Sequence, residues 1–235
     1  CRAGARRVYA VEATGIIEAA REVCRTNGFE GRVVFIRGLS SEIELPEPVD
    51  LIVTDQINEF CFGAGLLRYL SDARRRFMKP AGTTVPDSVD LLLAPVESAR
   101  ARHLVAFWSD SREGLDLSAF GRLAANTVFT WRFERTELLA EPEVAARVNA
   151  AQDPELEVAA EASLSVDRDG TLHGVAGFFA ARLSPSVTMT NAPKAVRAID
   201  RAGAFFPVDP AVDVRRGDVV TARLERLDHL AACRT

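Results

Sequence analysis

A chain of 235 residues with 48% hydrophobic content can bury a sizeable core, as one large domain or two small ones. Its formal charge of −4 gives no pull toward nucleic acid or anionic lipid, and no apolar run approaches the roughly 20 residues that cross a bilayer. No signal peptide opens the sequence, and Cys1, Cys24, Cys61 and Cys233 lack metal-type spacing, so free thiols in a cytoplasmic protein are expected.

In chain order, Arg7-Val8-Tyr9-Ala10-Val11-Glu12 reads as a short strand closing on an acid, and Thr14 to Asn27 as a helix. Thr14 is placed to cap that helix, Ile16, Ile17, Ala20 and Val23 fall on one face, and Asn27-Gly28 supplies the stop. Val33-Val34-Phe35-Ile36 and Leu51-Ile52-Val53 are near-continuous apolar runs, the pattern of strands covered by helices on both faces. The second run ends in Thr54-Asp55. Ligands of open α/β sheets bind outside the carboxyl ends of the strands, so Glu12 and Asp55 are candidates to face one crevice. Capping of the following helix is an equally available role for either acid. The polar loop Gly38 to Pro46 carries Ser40-Ser41-Glu42, which either approaches a ligand or merely connects. Gly63 to Met78 has helical spacing, with Leu66, Leu67, Leu70, Ala73 and Phe77 on one side. Arg74-Arg75-Arg76 is expected on its solvated face, and Lys79-Pro80-Ala81-Gly82 is expected to break it.

The pattern changes near Pro86. Ser88 to Val96 is a strand-like apolar run, and from Leu156 the residues Val158, Ala160, Ala162, Leu164 and Val166 continue one face with period two. Asp167-Arg168-Asp169-Gly170 supplies hairpin-turn residues, after which Leu172, Gly174, Ala176, Phe178 and Ala180 return along one face. Phe205-Phe206-Pro207-Val208 and Val219 to Leu227 add two strands separated by Arg216-Gly217-Asp218. A β-rich second domain, barrel or sandwich, is the economical reading. Trp108 to Arg132 is less regular and reads as an inserted apolar arm, which a second subunit would cover. His103, His173 and His229 have no metal-ligand spacing and read as surface or strand residues. No serine sits in a nucleophile-elbow sequence.

Several blocks, taken together, resemble the protein arginine methyltransferases, class I S-adenosylmethionine-dependent enzymes. They are Ala3-Gly4-Ala5-Arg6-Arg7-Val8-Tyr9-Ala10-Val11-Glu12, Val49 to Asp55, Phe77 to Gly82 and Val85-Pro86-Asp87. Fainter matches are His173 to Phe179 and Arg216-Gly217-Asp218. The resemblance implies α/β plus β architecture: residues 1–85 as part of a Rossmann-like donor-binding domain, and 86–235 as a β-barrel-like domain interrupted by a helical dimerisation arm at about 109–134. The glycine-rich turn of such folds would precede Cys1, so an N-terminally truncated sequence is expected.

By the same resemblance, S-adenosylmethionine is the methyl donor. Glu12 corresponds to the acid that accepts from the ribose hydroxyls, and Ser40 and Ser41 correspond to the loop beside the adenine, where the family usually has an acid at the position of Ser41. The family clamps its planar guanidinium substrate between two glutamates on one loop. Here Thr54 to Ala64 offers Asp55 at the first of those positions and Ala64 at the second, with Glu59 as a spare acid. Asp200 falls where the family has a histidine. The implied function is methyl transfer to a protein arginine or to another protein or small-molecule nucleophile, by a homodimer paired through the arm. The alternative is a catalytically impaired interaction module on the same scaffold.

Overall fold

Strand β1 (Val8–Glu12) lies parallel to β2 (Val33–Arg37), with Val8 opposite Val33 and Glu12 opposite Arg37. Helix α1 (Ile16–Thr26) makes the connection between them, the βαβ arrangement that the alternating apolar runs dictate. The computed structural model describes residues 1–60, 66–108, 114–149, 159–193 and 195–225. They fall into two compact units: Cys1–Ile52 with Arg68–Thr83, and Val53–Leu67 with Thr84–Thr235.

In the first unit, α1 starts later than the sequence pattern suggests. Gly15 occupies the N-cap without a side-chain bond, and Thr14 Oγ1 lies 3.4 Å from the Ile16 N–H. The stop falls as expected: the Asn27 N–H and side-chain amide both donate to the Val23 carbonyl, at 3.1 and 2.8 Å, and Gly28 takes a φ of 72°. Of the four apolar residues assigned to one face, Ile17 is buried while Ile16, Ala20 and Val23 are exposed. β3 (Val49–Val53) pairs with β4 (Met78–Val85), and α2 (Leu66–Phe77) runs directly into β4. Lys79 to Gly82 therefore belongs to a strand instead of a helix-breaking loop. Pro80 is tolerated because this sheet has two strands, so each presents an edge without ladder bonds. The expected cover on both strand faces is not complete among the described residues, since Leu51 and Val53 stand exposed on β3.

The second unit centres on β5 (Ser88–Val96), which lies between β7 (Glu143–Asn149) and the long β9 (Gly170–Ser184). β9 also pairs with β11 (Gly203–Val214) and β10 (Val187–Thr190), and β11 with β6 (Phe129–Trp131), all antiparallel. Both faces of this sheet are filled. Val89, Leu91, Leu93 and Phe179 pack with Ile57, Phe60 and Leu66 on one side. Ala94, Val96, Phe178 and Phe205 pack with Ala101 and Leu138 on the other.

β8 (Ala159–Ser165) keeps its period-two burial at Ala162, Leu164 and Val166, while Leu156 and Val158 lie outside the described residues. Its expected hairpin partner is wrong. β8 pairs with β12 (Val219–Glu225), and β9 joins the large sheet. The turn chemistry explains the switch. Val166 N–H donates to the Asp218 carbonyl and Gly217 N–H to the Val166 carbonyl, both at 2.8 Å, while Asp169 Oδ1 accepts from Arg216 N–H at 2.8 Å. Asp167 to Gly170 thus hands the chain from one sheet to another. Among the described residues the six-stranded sheet and the β8–β12 pair are not closed into a barrel.

The insertion between the β blocks begins with α3 (Ala99–Ala106), capped by Ser98 Oγ, which accepts the Ala101 N–H at 3.1 Å. It continues through α4 (Ser118–Ala125), where Phe120 stacks on Trp108 with ring centroids 5.5 Å apart. Residues 109–113 lie outside the described residues, and 129–131 belong to the sheet as β6. Cys1 and Cys24 are free thiols, and among the described residues no group of three or more His, Cys, Asp and Glu is placed to hold a metal. No described helix is long and apolar enough to cross a membrane.

Candidate active site

The parallel pairing of β1 and β2 carries Glu12 to the carboxyl edge of its strand, and the loop after β2 follows beside it. Gly38 N–H donates to the Glu12 carbonyl at 3.1 Å. The Glu12 side chain accepts the Thr14 N–H on Oε1 at 2.6 Å, and the hydrogen bonds from Thr14 hold its carboxyl below the usual range. This bond holds the turn before α1 and is not the helix cap open to Glu12, since α1 begins at Ile16 and its N-cap, Gly15, has no side-chain bond. A carboxylate offers about four lone-pair sites, so this one bond leaves capacity for a pair of hydroxyl donors.

Ser40 and Ser41 sit in the turn closed by Glu42 N–H to the Leu39 carbonyl at 2.9 Å, Ser40 half-buried and Ser41 exposed. Arg76 on α2 fastens this loop, donating through Nη1 to the Ser40 carbonyl at 2.9 Å and through Nη2 to that of Ile43. The basic run is accordingly not all solvated face: its last member reaches back across the first unit.

Asp55 and Glu59 lie in the second unit, on a segment held by both local and long-range hydrogen bonds. Thr54 N–H donates to the Val85 carbonyl at 3.0 Å, Gln56 N–H to Thr54 Oγ1 at 3.2 Å, and Phe60 N–H to Asn58 Oδ1 at 3.3 Å. Ile57 and Phe60 are buried and anchor the segment, and Phe60 meets Phe206 edge to face at 5.4 Å. Asp55, two residues before Ile57, is exposed to solvent. Glu59 is half-buried, and its Oε1 accepts from Thr130 Oγ1 of β6 at 2.9 Å. Residues 61–65, including Ala64, lie outside the described residues.

Three further side chains fix this segment, and none was singled out in its own right from the sequence. Asn191 Nδ2 donates to the Glu59 carbonyl at 2.9 Å, Arg201 donates to the Ile57 carbonyl, and Thr130 holds the Glu59 carboxylate. Asn191 precedes Ala192-Pro193, so it reads as a turn residue; nothing local marks a bond made 132 positions away in sequence. Asp200 does not point its charge at this segment's backbone. It pairs with Arg132, with 90% of its side chain exposed.

No family model matches the chain. Among curated proteins it is 34% identical to a probable protein arginine N-methyltransferase 6 of Arabidopsis thaliana over 129 residues, 54% of this chain and 29% of that protein. It is 31% identical to a probable protein arginine N-methyltransferase 6.2 of Oryza sativa subsp. indica over 206 residues, 84% of this chain and 52% of the relative. Protein arginine N-methyltransferase 1 of Chlamydomonas reinhardtii matches at 25% identity over 95% of this chain and 66% of its own length. The chain thus spans less than two thirds of each of these relatives.

Two solved structures share the fold. Trypanosoma brucei PRMT1, in an enzyme–prozyme heterotetramer with AdoHcy, superposes with a TM-score of 0.86 at 22% identity over 95% of this chain and 72% of that one. Arabidopsis thaliana protein arginine methyltransferase 10 does so with a TM-score of 0.80 at 24% identity, over 95% and 74%. The α/β unit and the antiparallel β unit are thus a fold that this chain has in common with both structures. Together with the similarity to the curated relatives, this shared fold supports a protein arginine methyltransferase-like family for the chain.

Proposed function

We propose that the chain performs S-adenosylmethionine-dependent methyl transfer to a protein arginine, the activity named in its curated relatives. The observation that carries this reading is Glu12: a carboxylate at a strand's carboxyl edge, one oxygen taken by Thr14 and the remaining lone pairs free to accept from two ribose hydroxyls. The residues present fit the donor on that count. Ser40 and Ser41 flank the adenine side, on a loop that Arg76 holds. When bound, the sulfonium supplies an electrophilic methyl group, and transfer is an in-line displacement.

The chain's own contribution is to hold and orient the acceptor. Asp55 and Glu59 are the acids offered to a guanidinium, whose five N–H donors are best met by paired carboxylates. Exposed Asp55 is free to take one edge. Glu59 accepts a single hydrogen bond from Thr130 on Oε1 and retains acceptor capacity. The arm carries exposed Leu115, Phe120, Leu123 and Val128, which supports a homodimer in which a second copy covers it. We propose a cytoplasmic location, on the free thiols of Cys1 and Cys24 among the described residues.

The test is calorimetric titration with S-adenosylhomocysteine of this chain and of the product of the complete reading frame, followed by transfer of labelled methyl groups to an arginine-containing peptide. Binding that weakens about ten- to hundredfold in Glu12→Ala, with transfer lost in Asp55→Asn, is the expected result. Absence of binding at millimolar ligand in both proteins sinks the donor site and leaves an interaction module.

A further inference from the structure

Asn191 is 3% exposed, yet its amide uses three of its four bonding positions. Oδ1 accepts the Phe179 N–H at 2.8 Å, and the two Nδ2 hydrogens go to the Glu59 carbonyl at 2.9 Å and the Ala202 carbonyl at 2.7 Å. The orientation of the amide is dictated by these partners, since a flipped group would set its oxygen against two carbonyls. One side chain thereby joins β9, the chain entering β11 and the acid-bearing segment. Neighbouring Thr190 stiffens the same node, its Oγ1 donating to the Phe179 carbonyl at 2.6 Å and accepting the Ala192 N–H at 3.2 Å.

A buried amide is expensive unless every bond is made, and an apolar residue would fill the same space without that demand. What an apolar residue cannot do is grip the Glu59 carbonyl. The carbonyl of Ile57, two residues earlier, is gripped by Arg201 from the same stretch. Two donors from residues 191–201 thus fix the backbone on which Glu59 stands, while Thr130 fixes its carboxylate.

We infer that Asn191 is a positioning residue: it sets the height and direction of Glu59, and through it the acceptor-binding face of the 55–59 segment, without touching the acceptor. The inference rests on the reading of Asp55 and Glu59 as the acids that take the acceptor.

The decisive variant is Asn191→Asp, which keeps the shape and the Oδ1 acceptor but turns the donor into an oxygen facing two carbonyls. Three quantities are read: hydrogen exchange over residues 54–60, S-adenosylhomocysteine affinity, and kcat and KM on an arginine-containing peptide. Exchange at Ile57 to Phe60 should quicken about tenfold or more. Donor affinity should stay unchanged, while kcat falls about ten- to hundredfold with a smaller change in KM. Asn191→Ser keeps one donor without a buried charge and should fall between; it decides the matter if Asn191→Asp does not fold. Unchanged exchange over 54–60 in a folded variant overturns the inference. If the unmodified protein transfers no methyl group, the acceptor reading fails, and the exchange result alone decides whether Asn191 holds the segment.

Discussion

Arg76 Nη1 donates to the Ser40 carbonyl at 2.9 Å, tying the last turn of α2 to the loop after β2. The same guanidinium reaches the Ile43 carbonyl and Asp72 Oδ2, the latter at 3.2 Å, and its centre lies 4.7 Å from the centroid of the Phe77 ring. That combination needs a planar fork with several donors, which a lysine ammonium does not supply. Arg76→Lys should therefore lower unfolding free energy by about 1–2 kcal/mol in urea titrations, and raise hydrogen exchange over residues 39–43. An Arg76→Lys protein as stable and as protected as the parent would show that the clamp contributes nothing.

Gly174 leaves no room for a side chain. A Cβ there would lie 2.4 Å from Phe205 Cε2 and 2.5 Å from the Phe206 carbonyl oxygen, on a strand paired to both neighbours. The carbonyl is backbone and cannot rotate away, so β9 and β11 would have to separate. Gly174→Ala should cost about 1–3 kcal/mol in the same titration. Gly217→Ala, where nothing crowds the Cβ but φ is 93°, should act through backbone strain alone. A Gly174→Ala protein at least as stable as the parent would mean the strands have slack.

The sequence was most legible where one strong local pattern decided the outcome. Ser88–Val96 is a strand over its full predicted length, and the Glu12 edge falls where its apolar run stops. Reading failed where the answer depended on distant partners. Asp167 to Gly170 has hairpin chemistry, but bonds to Arg216 and Asp218 send β8 to β12. Arg76 looked like one member of a solvated run because its acceptors are 33 and 36 residues away. Within the candidate site Glu12 and Asp55 are visible as acids at strand ends, whereas Glu59 emerges only through the family resemblance. The neutral residues that hold them, Asn191 and Thr130, carry no signal of their own, since an amide or hydroxyl in a strand-rich region is ordinary.

Glu97 supplies a pH test. Arg168 Nη1 lies 2.5 Å from its Oε2, and the Thr171 N–H bonds Oε1 at 3.0 Å. These contacts, the Arg168 hydrogen bond first, hold the Glu97 carboxyl below its ordinary value. A lowered folded pKa means the contribution is complete above the unfolded carboxylate value of about 4.3 and is lost as pH falls through the folded pKa. Its size is kept within about 1 kcal/mol, because both partners are partly exposed. His173 acts earlier: burial, then the charge of Arg102, lowers its pKa against the pull of Glu97. Stability from its neutral form therefore begins to fall below about pH 6.5. Urea midpoints of Glu97→Gln and the parent should differ at pH 7 and converge as pH falls through the lowered folded pKa of Glu97. A constant offset across that range would assign the effect to packing.

The arm offers the last prediction, because it separates an interface from a core. Phe120, Leu123 and Val128 are 51%, 65% and 54% exposed, an apolar set on one short helix and its exit that the proposed second copy would cover. Phe120 also leans on Trp108, with ring centroids 5.5 Å apart and the planes tilted by 43°. Replacing an exposed side chain away from the core changes stability by about 0.5 kcal/mol or less, whereas a carboxylate placed inside a dimer interface is left desolvated and unpaired. Leu123→Asp should accordingly leave thermal unfolding almost unmoved while converting a dimer to a monomer in sedimentation velocity. The double variant with Val128→Asp should complete that shift. If both variants sediment as the parent does, the proposed pairing through the arm fails, and the exposed face of α4 has to be explained by another partner.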